Sequence, residues 1–81
     1  MTKVVLYGKA GCHLCEEALA EIEAVRAHRP FELTEVDVSL DPVLHARYGE
    51  RIPVVVVDDE EAFEFHVDRA ELERLLDTVG S

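Results

Sequence analysis

Two cysteines, three positions apart, are the residues of this chain whose type and spacing most directly suggest chemistry. Cys12 and Cys15 are its only cysteines, and they follow an apolar run from Val4 to Tyr7 that favours a buried strand. Helix-forming residues then continue to Ala27. A thiol at the first turn of a helix lies near unpaired N–H groups and the positive end of the dipole, which favour the reactive thiolate. Cys15, about one helical turn later, can close a disulfide with Cys12, so we interpret the pair as a dithiol redox site.

Two other interpretations of the cysteine pair stay open at this point. A structural zinc half-site would need two further ligands, but His28, His45 and His66 are not spaced as a His-x3-5-His pair. The other alternative is an inert pair. A position that lowers the thiol pKa, such as a helix start, is what separates reactive cysteines from unreactive ones. We therefore predict no metal site.

Length and charge limit the classes of partner. The chain has 81 residues, which predicts one domain spanning residues 1–81. Its 18 acidic and 8 basic residues give a formal charge of −10, which argues against nucleic acid or an anionic membrane as a partner. No apolar run approaches the roughly 20 residues that span a bilayer, and no leader peptide is recognisable at the start. We expect a cytoplasmic monomer, in a compartment where a cysteine pair is more often catalytic or metal-binding than structural.

The pattern of apolar residues and breakers predicts the order β-α-β-α-β-β-α. The predicted strands are Lys3–Tyr7, Phe31–Ser39, Ile52–Val57 and Ala62–His66, and the predicted helices are Cys12–Ala27, Pro42–Tyr48 and Asp68 to Gly80. The first strand should be central and the second an edge strand, with Thr34, Val36 and Val38 alternating with polar residues. A polar turn over residues 58–61 should lead into a hairpin partner that carries Phe63 and Phe65 on one face. The fold class is therefore α/β, a four-stranded mixed sheet flanked by three helices.

The beginnings and ends of the two later helices carry their own signals. Asp41 followed by Pro42 predicts the start of the second helix, and Gly49 predicts its end. Asp68 predicts the start of the third helix, where Glu71 three positions later completes a capping-box pattern.

The same residues resemble a known family. The segment from Lys9 to Cys15, the run Arg51-Ile52-Pro53-Val54 and the final hairpin and helix are similar to the thioredoxin superfamily, and most closely to glutaredoxins. The resemblance covers nearly the whole chain and implies a thioredoxin fold. It also implies that Pro53 is a cis-proline facing the cysteine pair, which turns the backbone of Ile52 outward to pair with an extended substrate segment.

Roles for the residues around the pair follow from chemistry and from that resemblance. Cys12 is the expected nucleophile and Cys15 the resolving thiol. Lys9 matches a glutaredoxin lysine whose charge would lower the thiol pKa, the alternative being a solvated loop lysine. His13 either stabilises the thiolate as an imidazolium or points its ring into solvent. Tyr7 is the remaining side chain expected to edge the site.

The chain departs from glutaredoxins before its last helix. Where glutaredoxins carry two adjacent glycines that hold the carboxylate of glutathione, residues 65–68 contain none. Asp68 would still offer a helix N-terminus to an anion, although its own carboxylate competes for the same N–H groups. The chain also lacks the tryptophan of thioredoxins proper. The electron donor stays open between glutathione and thioredoxin reductase, and no cofactor other than glutathione is expected.

Three functions are compatible with these observations. The first is a thiol-disulfide oxidoreductase acting on protein disulfides or glutathione mixed disulfides. The second is a protein-binding or redox-sensing module without turnover, which docks a partner through Ile52 and Pro53. The third is an iron–sulfur carrier in which Cys12 of two chains and glutathione ligate the cluster, an interpretation weakened by the missing glycines.

Overall fold

A four-stranded mixed sheet organises the chain in the computed structural model, which describes residues 2–79. The elements in chain order are β1 (Lys3–Gly8), α1 (His13–Arg26), β2 (Glu32–Asp37), α2 (Pro42–Tyr48), β3 (Val54–Val57), β4 (Glu60–Glu64) and α3 (Arg69–Val79), with a short 3-10 helix (Val38–Leu40) before α2. The strand order is β2-β1-β3-β4. β1 is parallel to β2 and antiparallel to β3, and β3 is antiparallel to β4. The predicted α/β class, element order and thioredoxin fold are confirmed.

Each face of the sheet carries its own core. α1 and α3 cover one face, where the buried residues are Val4, Leu6, Ala18, Ile22, Val25, Phe31, Val55, Val57, Leu72 and Leu76. The 3-10 helix and α2 cover the other, around buried Val38, Tyr48 and Val54. Because both faces are covered, the central strands can be continuous apolar runs, as the composition of β1 and β3 predicted.

The second strand is shorter than its sequence pattern predicted. It ends at Asp37 instead of Ser39, and Val38 begins the 3-10 helix. The cause is the Asp37 carboxylate, which accepts hydrogen bonds from the Ser39 N–H at 2.9 Å and from the Ser39 hydroxyl at 2.6 Å. Such a local side-chain bond offers the backbone an alternative to the ladder. β2 is an edge strand, as predicted, and Val38 is still buried although it lies outside the strand.

The hairpin between β3 and β4 also differs from the prediction. Its turn is only Asp58 and Asp59, with φ of 46° and 72°, so β4 starts at Glu60 instead of Ala62. Aspartate tolerates this left-handed conformation, and the two-residue turn with both φ positive matches the twist of the strands. β4 ends at Glu64, so Phe63 and Phe65 do not share a strand face, and the prediction that they do was wrong. β3 begins at Val54, two residues after the predicted start, just beyond Pro53.

Side-chain caps define where the helices begin. Cys12 caps α1, Asp41 caps α2, and the Asp68 carboxylate accepts the N–H of Glu71 at 3.2 Å at the start of α3. The return half of the predicted capping box does not form, because the Glu71 carboxylate binds Arg74 instead. α2 ends at Gly49, as predicted. The predicted end of α3 at Gly80 lies outside the described residues.

The register of the sheet brings four chain segments to one edge. Gly8, the last residue of β1, pairs with Asp37 at the end of β2. Val54, the first residue of β3, pairs with Tyr7 of β1 and with Glu64 at the end of β4. The loop that carries the cysteines therefore lies at the same edge as Pro53 and as the turn that follows β4. Within residues 2–79, no helix has the length and apolar character needed to cross a membrane.

Candidate active site

The two cysteines form a disulfide at the N-terminus of α1. Their Cα atoms are 5.2 Å apart, within the range that a disulfide requires. The Cys12 sulfur also accepts the backbone N–H of Cys15 at 3.2 Å and so caps the helix. Cys12 is half-buried, whereas Cys15 is buried with 7% of its surface exposed. Cys12 is thus the more accessible sulfur and the one that the helix N-terminus would stabilise as a thiolate.

Gly8 gives the second cysteine its place against the sheet. A Cβ atom at this position would lie 2.8 Å from the Cys15 sulfur and 3.2 Å from its Cβ, closer than van der Waals contact permits. Because only glycine lacks that atom, the helix can bring Cys15 directly onto the central strand. The sequence pattern ended the strand at Tyr7 and left Gly8 outside it, whereas the structure makes Gly8 the last residue of β1, in contact with Cys15.

A cavity of roughly 290 Å³ lies beside Cys15. It is lined by Leu6, Gly8, Lys9, Ala10, Gly11, Cys15, Glu16, Leu19, Glu35, Val36 and Asp37. Two of the charged groups, Glu35 and Asp37, come from β2, a strand that sequence analysis did not connect with the site. Their only sequence signal is position, because the carboxyl ends of two adjacent parallel strands meet at one edge of the sheet.

Asp37 ties this edge of the sheet to the loop before the cysteines. Hydrogen bonds from the hydroxyl and N–H of Ser39, and to a smaller extent from the N–H of Ala10, hold the pKa of the Asp37 carboxyl below its usual range. The positive charge of Lys9 acts in the same direction. Asp37 is therefore a carboxylate at neutral pH, and the charge of Lys9 in the loop before the cysteines contributes to keeping it ionised.

Replacing Asp37 with asparagine should make the protein less stable in a pH-dependent way. The depressed pKa means that the carboxylate stabilises the fold above the unfolded pKa of about 3.9, and that this stabilisation disappears as the pH falls through the folded pKa. Urea unfolding of the two proteins between pH 3 and pH 7 should show a gap in unfolding free energy that closes towards pH 3. A gap of constant size across that range would contradict the role of the charge.

The remaining predicted partners of the thiolate, Lys9 and His13, are both exposed. Lys9 lines the cavity beside Cys15, and its backbone carbonyl accepts the N–H of Cys12 at 3.4 Å. The His13 ring is 83% exposed and lies 4.0 Å from Glu16 and 3.9 Å from Glu17. These are the surroundings expected of a ring directed into solvent, and the effect of either cation on the thiol pKa stays a prediction.

The Ile52–Pro53 peptide bond is cis, and it lies at the edge of the sheet that carries the cysteines. Pro53 is buried and its carbonyl accepts the N–H of Phe65 at 2.8 Å. Ile52 lies outside the strands, and within residues 2–79 neither its N–H nor its C=O takes part in the loop hydrogen bonds. The pairing of these two groups with an extended chain, which the resemblance implies, stays a prediction.

Phe65 adopts an unusual backbone conformation directly after β4. Its φ is 68°, and the N–H of His66 bonds the carbonyl of Glu64 at 2.8 Å, which closes a three-residue γ-turn around it. A left-handed conformation costs a residue with a side chain about 1–2 kcal/mol. Residues 65–68 lack the two glycines of glutaredoxins. Phe65 nevertheless has a positive φ, a conformation that glycine adopts freely, and it places an aromatic ring at this point of the chain.

Tyr7 lies on the other face of the sheet from Cys15. Its ring stacks on Tyr48 with centroids 4.3 Å apart, and burial, followed by the neighbouring Tyr48, raises the pKa of its phenol. Arg47 and Arg51 each lie over the Tyr48 ring. The structure thus does not bring Tyr7 into the cavity beside Cys15, and its contact with substrate stays a prediction.

The N-terminus of α3 is capped by the side chain of Asp68, the residue that precedes the helix. The Asp68 carboxylate accepts the N–H of Glu71, so part of the donor capacity that an external anion would use is already engaged. Among residues 2–79, no three histidine, cysteine, aspartate or glutamate side chains cluster in a way that could hold a metal ion.

Comparison with known proteins places this geometry in a family. A model of the glutaredoxin-like domain (DUF836) matches residues 3–77. The chain belongs to the glutaredoxin-like domain family. A relative of this glutaredoxin-like chain, protein Rv0508 of Mycobacterium tuberculosis, is 31% identical over 88 aligned positions that cover 98% of the present chain and 89% of the relative.

Solved structures support the fold of this glutaredoxin-like chain. Protein Ne2328 from Nitrosomonas europaea superposes with a TM-score of 0.80 at 30% identity, covering 91% of the present chain and 89% of that protein. A thioredoxin variant from Halobacterium salinarum superposes with a TM-score of 0.73 at 20% identity, covering 99% of the present chain and 75% of the thioredoxin. The latter likeness shows the thioredoxin fold alone. Family, fold and the Cys12–Cys15 disulfide together indicate a redox protein.

Proposed function

We propose that this protein is a thiol-disulfide oxidoreductase that reduces disulfides with Cys12 as nucleophile and Cys15 as resolving thiol. The observation that carries the proposal is the asymmetry of the pair at the start of α1. Cys12 is accessible and accepts a helix N–H at its sulfur, while Cys15 is buried behind it in disulfide contact. A nucleophile that must meet an external disulfide has to be exposed, whereas a resolving thiol needs to reach only its neighbour.

The reaction balances without a bound cofactor. The Cys12 thiolate attacks one sulfur of the target disulfide and forms a mixed disulfide with it, while the target S–S bond breaks and the other target sulfur leaves as a thiolate that takes up a proton. Cys15 loses its proton and attacks the Cys12 sulfur, which forms the Cys12–Cys15 disulfide and releases the attacked target sulfur as a thiolate that takes up a proton. The protein dithiol is thereby oxidised to the observed disulfide by two electrons, and the target disulfide is reduced to two thiols.

The backbone of Ile52 supports the proposed docking of substrate. An extended segment carrying the target disulfide would pair with its N–H and C=O at the edge where the cysteines lie. Main-chain pairing of this kind does not depend on the side chains of the substrate, so it suits an enzyme that acts on disulfides in extended segments.

The test is turnover of a peptide disulfide with two donor systems. One assay supplies glutathione, glutathione reductase and NADPH, and the other supplies thioredoxin reductase and NADPH. Oxidation of NADPH that requires both the protein and the peptide disulfide would support the proposal and would identify the electron donor. If the chemically reduced protein fails to reduce the peptide, the proposal is wrong, and a binding module without turnover becomes the better description.

A further inference from the structure

A second groove lies along α1 and shares no lining residue with the cavity beside Cys15 and Asp37. It has a volume of roughly 240 Å³ and runs between the first turns of α1 and the turn that precedes α3. Its lining residues are Leu14, Glu17, Ala18, Glu21, Phe65, His66 and Val67. Leu14 stands between the two cysteines in sequence, and the N–H of Phe65 is bonded to the carbonyl of Pro53, so the groove lies between residues next to the cysteines and residues next to the cis-proline.

The floor of the groove is apolar. Leu14, Ala18, Phe65 and Val67 contribute hydrocarbon surface, and the Phe65 residue is 42% exposed. The γ-turn fixes the position of Phe65, since the N–H of Phe65 is bonded to Pro53 and the N–H of His66 to Glu64. A hydrogen bond thus connects the floor of the groove to Pro53, the cis-proline that lies between Ile52 and the first residue of β3.

Carboxylates outnumber cations around this floor. Glu17 and Glu21 line the groove, and the charge of Asp68 acts on Glu21. Arg69 binds Glu21 through two hydrogen bonds of 2.9 and 3.1 Å, which neutralises one carboxylate. The two histidines nearby are His66 in the lining and His13, whose ring lies 3.9 Å from Glu17. Glu17 and Asp68 therefore remain as negative charge without an arginine or lysine partner among the described residues.

We propose that this groove binds a lysine or arginine side chain flanking the disulfide cysteine of a protein substrate. The aliphatic stem would lie on Leu14, Ala18 and Phe65 while the charged end reaches Glu17, since long basic side chains bury their stems and keep their heads in polar surroundings. The same charges repel the carboxylates of glutathione. The inference rests on the proposed function and gives its substrate class, basic protein disulfides in preference to glutathione mixed disulfides.

The test compares rates within one family of disulfides. The reduced protein is mixed with three disulfide-linked peptides that differ only in the residue next to the target cysteine, which is lysine, leucine or glutamate, and with a mixed disulfide of glutathione. We expect second-order rate constants about 10-fold higher for the lysine than for the glutamate peptide at low ionic strength, with a ratio that falls as salt is added. The glutathione mixed disulfide should react at a rate near that of the glutamate peptide.

Charge reversal separates the groove from the overall charge of the protein. The variant Glu17→Lys changes the groove, and Glu60→Lys makes the same change in net charge at the hairpin end of β4. The ratio of lysine to glutamate rates should fall about 10-fold in the first variant and stay close to the natural value in the second. Using the ratio removes any general effect of residue 17 on the reactivity of Cys12.

A third variant tests the apolar floor. Phe65→Gly keeps the backbone conformation, because glycine adopts positive φ freely, and it should slow the lysine and leucine peptides about threefold while the protein stays folded. Equal rates for all peptides in the natural protein would overturn the inference and leave the oxidoreductase proposal standing. Equal shifts in the two charge-reversal variants would also overturn it. Failure to reduce any disulfide would overturn both proposals.

Discussion

Replacing Cys12 with serine should lower the rate of disulfide reduction by about 10³-fold or more, because a hydroxyl is neither ionised at neutral pH nor a nucleophile towards sulfur. The fold should survive, since a serine oxygen can cap α1 by accepting the Cys15 N–H that the sulfur accepts now. The measurement is reduction of a peptide disulfide by the chemically reduced proteins, with circular dichroism as the check on folding. A folded variant with the natural rate would remove Cys12 from the mechanism.

Replacing Cys15 with serine is the matched control, and its expected result is different. Cys12 still attacks, but no buried thiol follows, so the target stays linked to Cys12 as a mixed disulfide. In the absence of added thiols, mass spectrometry should detect one covalently bound peptide per protein, released by a reductant. If neither a trapped species nor a loss of turnover is seen, Cys15 is not the resolving thiol. The two serine variants together separate attack from resolution.

Replacing Gly8 with alanine should disturb both stability and the redox pair. The added Cβ would lie 2.8 Å from the Cys15 sulfur, so the strand and the helix must separate. Crowding of this kind in a packed interior destabilises a protein by about 1–3 kcal/mol. We expect a lower unfolding free energy in urea and, in the reduced protein, faster alkylation of Cys15, because the displaced helix exposes its thiol.

Gly11 provides the control for this substitution. It has a φ of 77°, and a Cβ atom added there would meet no described atom within 4 Å, so Gly11→Ala introduces backbone strain without a clash. The cost is about 1–2 kcal/mol, and asparagine at the same position should recover part of it. Alkylation of Cys15 should stay slow in the Gly11 variants. Fast alkylation there, or natural behaviour of Gly8→Ala, would contradict the assignment of Gly8 as the residue that seats Cys15.

Local pattern was enough to predict most of the fold. The apolar runs of β1 and β3, the helix-forming stretch after Cys12 and the Asp41-Pro42 start of α2 are signals carried by neighbouring residues, and the structure follows them. The errors lie at element ends. β2 stops early because the Asp37 side chain bonds Ser39, and β4 starts early because two aspartates accept positive φ. Each of these two strand ends depends on one side-chain hydrogen bond or one backbone conformation, and the periodicity of apolar residues does not predict either.

The sequence by itself located the cysteine pair and predicted its redox role, and the tertiary structure decided the surroundings of that pair. The Cys-x-x-Cys spacing and the helix after it predict a dithiol redox pair, because a helical turn sets the distance between its members. The sheet brings the ends of β1, β2 and β4 to one edge. Only this arrangement shows that three residues near those ends, Gly8, Asp37 and Phe65, lie close to the cysteine pair or to Pro53. Contacts between residues distant in sequence depend on strand order and register, which no local pattern specifies.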